Sequence, residues 1–186
     1  TRETLKLLNF YNIKKPVISY FQHSKLNKIE HILDLLREGK DLALVSDAGT
    51  PGISDPGNYL IKEVLKEIPD LKITPIPGPN AAVAALSISG FYSDEFVFLG
   101  FPPHKKGRQT FFKRIGETPE TIVFYESKHR IIRTLEALRD ISILGDRKIM
   151  VARELTKQFE TIYRGSVNDI ITELSKSKVL GEFVIV

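Results

Sequence analysis

The stretch "LVSDAGTPGISDPG", residues 44–57, sets Ser46-Asp47 at the end of a short apolar run, with three glycines and two prolines in the ten residues that follow. Glycines at 49, 52 and 57 allow positive φ and close approach of backbone to a ligand. Asp47 offers a carboxylate acceptor to a ribose, an amine or the loop's own amides. No Lys-Ser/Thr follows a glycine in P-loop register, and the stretch does not spell G-x-G-x-x-G. On spacing alone, a tight turn whose aspartate caps local N–H groups stands beside a ligand loop. A second turn-rich segment, "PIPGPNAA" at 75–82, leads into an apolar helical pattern, and two such loops at neighbouring strand ends favour a shared pocket. Further on, Lys105, Lys106, Arg108, Lys113 and Arg114 fall between Phe101 and Arg114 with no acid among them. A second cluster, Lys128, Arg130 and Arg133, follows Glu126 in "ESKHR". Charge runs of this kind serve either as solvated faces or as contacts to an acidic partner such as RNA.

The elements that must carry these residues alternate. Ile29, Ile32, Leu33 and Leu36 recur at helical spacing, Gly39 stops them, and Leu42–Val45 read as a short strand. Leu60, Ile61, Val64, Leu65 and Ile68 form another helical stripe, Pro69 ends it, and "LKITPI" reads as a strand. The next helix starts in "GPNAAVAALSIS", with Pro79 suited to its first turn and Gly90 to its C′ position. The second half repeats the theme with strand "FVFLGF", a basic helix to about Ile115, strand "TIVFY", and a helix carrying Ile131, Ile132, Leu135 and Leu138. Strands "KIMVA" and "ETIYRG" follow, then a helix from Ser166 with capping-box spacing to Asp169, and finally strand "EFVIV". This predicts an α/β fold with helices covering sheet faces. The turn-forming "SGFYSDE" at 89–95 marks a boundary between domains 1–90 and 91–186.

Composition narrows the function classes. With 42% hydrophobic residues in 186, a genuine core is within reach, and the formal net charge of +4 permits an RNA partner. The absence of cysteine excludes disulfides and thiolate zinc sites, and no His/Asp/Glu grouping has metal spacing. No apolar run is long enough to span a membrane and no signal-peptide pattern is visible, so the chain reads as cytoplasmic, without a membrane partner. It opens at Thr1-Arg2, already inside a helical pattern.

Four motifs in order, "SDAGTPGISDPG", "PIPGPNAAVAALSISGF", "FLGFPPHKKGR" and "VFYESKHRI", closely resemble the tetrapyrrole methylase superfamily. Within it they resemble the bacterial branch that 2′-O-methylates a cytidine in the decoding region of small-subunit (16S) ribosomal RNA. The resemblance implies two α/β domains with a cofactor cleft between them, S-adenosyl-L-methionine as methyl donor, 16S ribosomal RNA within the small subunit as partner, and a homodimer. It also implies that Thr1-Arg2 closes a longer segment, that the first domain lacks its opening strand and loop here, and that relatives continue beyond "GEFVIV".

Position by position, the resemblance implies cofactor contacts at Asp47, Ala48, Gly49 and Thr50, although Ser46-Asp47-Ala48 stands where the superfamily has Gly-Asp-Pro. It implies further contacts at Gly78, Pro79, Asn80 and Ala81, which as structure alone read as a helix start, at Phe124 and Tyr125, for which core at a strand end is the competing reading, and at Ala152 and Arg153, where Arg153 could instead pair with Glu154 or another surface carboxylate. Methyl transfer from a sulfonium needs an aligned hydroxyl and exclusion of water, and a base helps because a ribose hydroxyl is a weak nucleophile. Glu126 is the carboxylate expected to fill that role, with a surface or helix-capping acid as the competing reading. Lys105, Lys106, Arg108, Lys128 and Arg130 are the expected RNA contacts. A tetrapyrrole-precursor methylase and a cofactor-free RNA-binding module remain as other readings.

Overall fold

The structure, a computed structural model, describes residues 2–21, 26–141, 147–176 and 178–186, so Thr1 lies outside it. The chain divides into two compact units, Thr1–Pro79 and Asn80–Val186. None of the helices among the described residues is long and apolar enough to cross a membrane.

The first unit holds α1 (Arg2–Phe10), α2 (Leu26–Arg37) and α3 (Asn58–Glu67). The two predicted helical stripes meet: Ile29, Ile32 and Leu33 of α2 bury against Leu60 and Val64 of α3, with Leu36, Leu44, Ile68 and Leu71 packed around them. The strands expected at 42–45 and in "LKITPI" are not formed. An apolar run becomes a strand only with a hydrogen-bonded neighbour and a face to bury. These runs have no ladder partner among the described residues, and Val45 and Ile76 are 56% and 79% exposed.

The second unit carries α4 (Ala81–Ser89), β1 (Phe96–Phe98), α5 (Arg108–Glu117), β2 (Thr121–Ser127), α6 (Ile131–Arg139), β3 (Ile149–Arg153), β4 (Thr161–Gly165), α7 (Val167–Ser175) and β5 (Glu182–Ile185). The sheet order is β1-β2-β5-β3-β4. Only β1 and β2 run parallel; the other pairs are antiparallel, so the sheet is mixed. Directly opposed residues of neighbouring strands share a face. Phe124, Ile185 and Val151 therefore line one side, where they pack with Phe112 and Ile115 of α5, Ile131, Leu135 and Leu138 of α6, and Ile170 and Leu174 of α7. Val123, Val184, Met150 and Ala152 line the other, against Ala82, Ala85 and Leu86 of α4. Helices cover both faces, as the alternation predicts. The domain change was expected at residue 90, whereas α4, which precedes it, buries its apolar side on the sheet of the second unit. Gly90 adopts the left-handed C-cap, and Ser166 with Asp169 forms the expected capping box.

The turn after β3 is fastened to the start of β5. The Glu154 N–H donates to the Glu182 carbonyl at 2.9 Å, and the Glu182 N–H donates to Glu154 Oε1 at 2.8 Å. Lys157 Nζ bridges both carboxylates, at 3.1 and 2.8 Å. Gly181 leaves the room, since a Cβ there would collide with the Glu154 side chain. The Glu182 N–H, ahead of Lys157, holds the Glu154 carboxyl below the usual carboxylate range. A depressed folded-state pKa contributes stability above the ordinary glutamate value, and that contribution is lost as pH falls through the folded value. Glu154→Gln is therefore expected to lower Tm at neutral pH, with the gap to wild type closing as pH falls through the acid range. Thermal unfolding across a pH series measures this, and a constant gap would rule the charge out as its cause.

Candidate functional site

In the first unit, residues 46–57 run as turns and bends between Val45 and α3. Ser46 Oγ bonds the carbonyls of Ala48 and Gly49, each at 2.9 Å. The loop's internal side-chain bonding thus falls to Ser46. Asp47 is exposed and, among the described residues, its carboxylate caps no N–H. Of the two readings of Asp47, the local cap is the one the geometry does not realise. The Thr50 N–H and Oγ1 both donate to the Pro79 carbonyl, at 3.1 and 3.3 Å, which stitches residues 49–50 to 78–79. The approach is close on both sides. A Cβ on Gly49, whose φ is +74°, would lie 3.3 Å from the Pro79 oxygen, and one on Gly78 would lie 3.4 Å from Thr50 Oγ1. Asp47, Ala48, Gly49, Thr50, Gly78 and Pro79 are therefore brought together within one unit.

In the second unit, Asn80 rather than Pro79 starts α4. Its Oδ1 accepts from the N–H groups of Ala82 and Val83, at 3.0 and 3.2 Å, which satisfies donors that the first helical turn otherwise leaves open. Pro79 accordingly lies ahead of the cap, and Ala81 is the first helical residue. The Ala82 N–H also donates to the Tyr125 hydroxyl at 3.1 Å. The Tyr125 ring packs edge-on against Phe98 and tilted against Phe101, with centroids 5.0 and 5.4 Å away.

The pleat divides the remaining expected cofactor residues. Tyr125 and Ala152 share the α4 face, Ala152 fully buried there, while Phe124 and Arg153 belong to the opposite face. Two adjacent positions of a strand cannot line the same wall with their side chains. Phe124 is core, 2% exposed and packed edge-on against Phe111. Arg153 Nε is buried and lacks a hydrogen-bond partner among the described residues.

Glu126 lies on the α5–α7 face, in register with Phe183 of β5, and its side chain has no exposed surface. Its Oε1 pairs with Arg130 Nη2 at 2.8 Å and accepts from the Ser127 N–H at 2.7 Å. Its Oε2 accepts from Thr134 Oγ1 at 2.6 Å. In this arrangement the carboxylate is committed to its own side-chain network rather than open to a substrate hydroxyl. Thr134 Oγ1 in turn accepts from Arg108 Nη2 at 2.8 Å, and Arg130 Nη1 donates to the Pro102 carbonyl at 2.9 Å. Arg108 also lies over the Phe112 ring, 4.8 Å from its centroid. Burial pulls this guanidinium below its ordinary pKa, and the Glu126 charge works against that pull. Two of the five expected RNA contacts, Arg108 and Arg130, are thus turned inward. Lys105, Lys106 and Lys128 are exposed, as are His104, His129 and Arg133. Thr134 was not among the expected site residues; its signal is a hydroxyl on the otherwise apolar stripe of Ile131, Leu135 and Leu138.

Compared with known proteins, residues 6–171 match the family model for tetrapyrrole (corrin/porphyrin) methylases. The chain belongs to the tetrapyrrole methylase family. Among curated members, it is 43% identical over 187 residues to the ribosomal RNA small subunit methyltransferase I of Thermotoga maritima, covering all of this chain and 82% of that protein. The protein of the same name from Bacillus subtilis is 42% identical over 189 residues, and the chain spans 63% of its length. Solved tetrapyrrole methylase structures share the fold: the methyltransferase CobJ has a TM-score of 0.64 at 21% identity, covering 96% of this chain and 80% of that one. Cobalt precorrin-4 methyltransferase, CbiF, has a TM-score of 0.59 at 19% identity, covering 95% and 77%.

The cap on α4 is open to direct measurement. Asn80→Ala is expected to destabilise the protein by about 1 kcal/mol in urea unfolding, and Asn80→Asp, which keeps the acceptor, by much less. Equal losses would mean that the amide group itself, rather than its oxygen, holds the loop.

Proposed function

We propose that this tetrapyrrole methylase transfers a methyl group from S-adenosyl-L-methionine to the ribose 2′-hydroxyl of a cytidine in the decoding region of small-subunit ribosomal RNA. The observation that carries the reading is the 43% identity, across the whole chain, to a protein named for methylating that RNA. The exposed cations Lys105, Lys106 and Lys128 of the second unit support it, because cations of this kind pair with the phosphates of an RNA backbone.

The residues present fit the donor. Asp47 keeps an exposed carboxylate free of partners among the described residues, suited to hydroxyl or amine donors of a nucleoside and an amino-acid moiety. Gly49 and Gly78 let the two loops approach each other where a Cβ would crowd them, which sets the backbone groups of Asp47–Thr50 beside those of Gly78–Pro79. Asn80 and Ala81 follow directly in the chain, with the Tyr125 hydroxyl fixing the N–H of the next residue. S-adenosyl-L-methionine supplies an electrophilic methyl on a sulfonium, and transfer to a hydroxyl is an in-line displacement. The protein's part is to hold the loops rigid, align the hydroxyl and keep water away. The stitch from Thr50 to Pro79 serves the first of these needs.

Tritium transfer from labelled donor to small-subunit ribosomal RNA or subunit particles, with mapping of the labelled nucleotide, tests the reading. Label in a cytidine ribose supports it, and label in a base or none at all overturns it. Asp47→Ala is expected to weaken donor binding by about 1–3 kcal/mol in calorimetry, since it removes an acceptor from a desolvated contact. Unchanged affinity would return Asp47 to the loop's own structure. Changing Lys105, Lys106 and Lys128 together to alanine should flatten the slope of log affinity for RNA against log salt by roughly two to three units, because each lost phosphate contact releases no counterion. Donor affinity should stay at the wild-type value.

A further inference from the structure

We propose that Glu126 is a positioning residue: from inside the second unit it joins two separate cationic segments into one RNA-facing surface and acts on RNA affinity, not on the transfer step. This rests on the functional reading above. The first segment is the loop Pro102–Gly107 between β1 and α5, which carries His104, Lys105 and Lys106. The second is the turn Ser127–Arg130 between β2 and α6, which carries Lys128 and His129. Nothing local ties one to the other, because nineteen residues, 108–126, separate them in the chain.

The connection runs through Glu126. Arg130 has one nitrogen on Glu126 Oε1 and another on the Pro102 carbonyl, so the carboxylate fixes the guanidinium that holds the start of the first loop. Thr134 relays the other oxygen to Arg108, the first residue of α5 and the residue just after that loop. The loop is therefore gripped at both ends, at Pro102 and at Arg108, by side chains that converge on one buried carboxylate. The turn is gripped as well, since the Ser127 N–H donates to Glu126 and Arg130 Nε reaches Ser127 Oγ at 3.4 Å. Between the fixed points, the lysines and histidines are exposed.

The chemistry of the group agrees. A general base needs a lone pair within reach of the proton that it takes, whereas this carboxylate has no exposed surface and already holds an arginine, a hydroxyl and an amide. Buried charge that is paired and hydrogen-bonded on every side is suited to fixing geometry.

The test is made on the full-length protein with a transcript of small-subunit ribosomal RNA, because the buried glutamate itself risks misfolding when changed. Thr134→Val keeps the shape and removes the hydroxyl relay, and Thr134→Ser restores it. Expected for Thr134→Val are a Kd for the transcript raised about tenfold, as for loss of a hydrogen bond to a charged group, unchanged calorimetric affinity for S-adenosylhomocysteine, and unchanged kcat at saturating RNA. Thr134→Ser should return the Kd to within about twofold of wild type. Glu126→Gln should raise the Kd in the same way and leave the pH profile of kcat with its wild-type shape. A fall in kcat with unchanged Kd, or loss of the acidic limb of the pH profile in Glu126→Gln, would place Glu126 in the transfer step and overturn the inference. So would wild-type binding with Thr134→Val unaffected, or with Thr134→Ser as impaired as Thr134→Val. A wild-type protein that neither binds nor methylates the transcript overturns the functional reading, and this inference with it.

Discussion

A carboxylate shut away from water must be compensated where it lies, and the arrangement around Glu126 follows from that requirement. Desolvating the charge costs several kcal/mol, so its oxygens are surrounded by a guanidinium, a hydroxyl and an amide. Each partner then answers to a further one. Arg130 reaches the carbonyl of Pro102, and the Thr134 hydroxyl oxygen accepts a hydrogen bond from Arg108, whose guanidinium spreads over Phe112. A single buried charge thereby sets the ends of two loops and the entry into two helices. Had the same residue pointed to the other face of β2, it would have met the apolar side of α4, formed by Ala82, Ala85 and Leu86.

The pleat of β2 is the second constraint. Tyr125 and its successor are neighbours in the chain but serve opposite sides of the sheet, one steadying the start of α4 and the other gathering the basic segments. Sequence reading treats "VFYESKHR" as one motif at a strand end, and the strand is there. What it does not apply is the alternation within the motif, which sends Phe124 into the core and separates Ala152 from Arg153 in the same way. The signal was present in the period of two.

The legibility of the fold differed between the units for a physical reason. The strands of the second unit were readable because their apolar residues are met on both faces by helices and along their edges by one another. Ser166 and Gly90 announced their caps because cap chemistry is local. Leu42–Val45 and "LKITPI" carry the same pattern without a ladder partner, and pattern alone does not form a strand. Asp47 stood out in the sequence as a residue to watch, yet that Ser46 would do the loop's internal bonding depends on torsions a sequence does not print. The inward turn of Arg108 and Arg130 was hidden for a related reason: a cation in a basic run looks solvated until a distant hydroxyl or carboxylate claims it.

The strand order has a bearing on how the second unit comes together. β5 lies at the centre of the sheet, between β2 and β3, although it follows all the other strands in the chain. Until it inserts, the parallel pair β1–β2 and the hairpin β3–β4 are two half-sheets, each with an open, hydrogen-bond-hungry edge. The apolar faces of α6 and α7 then have no continuous surface to cover. Closure of the sheet is consequently a late and non-local event, the kind that slows folding and lengthens the interval in which unpaired edges can find the wrong neighbour. During synthesis the two halves must wait for the residues that join them.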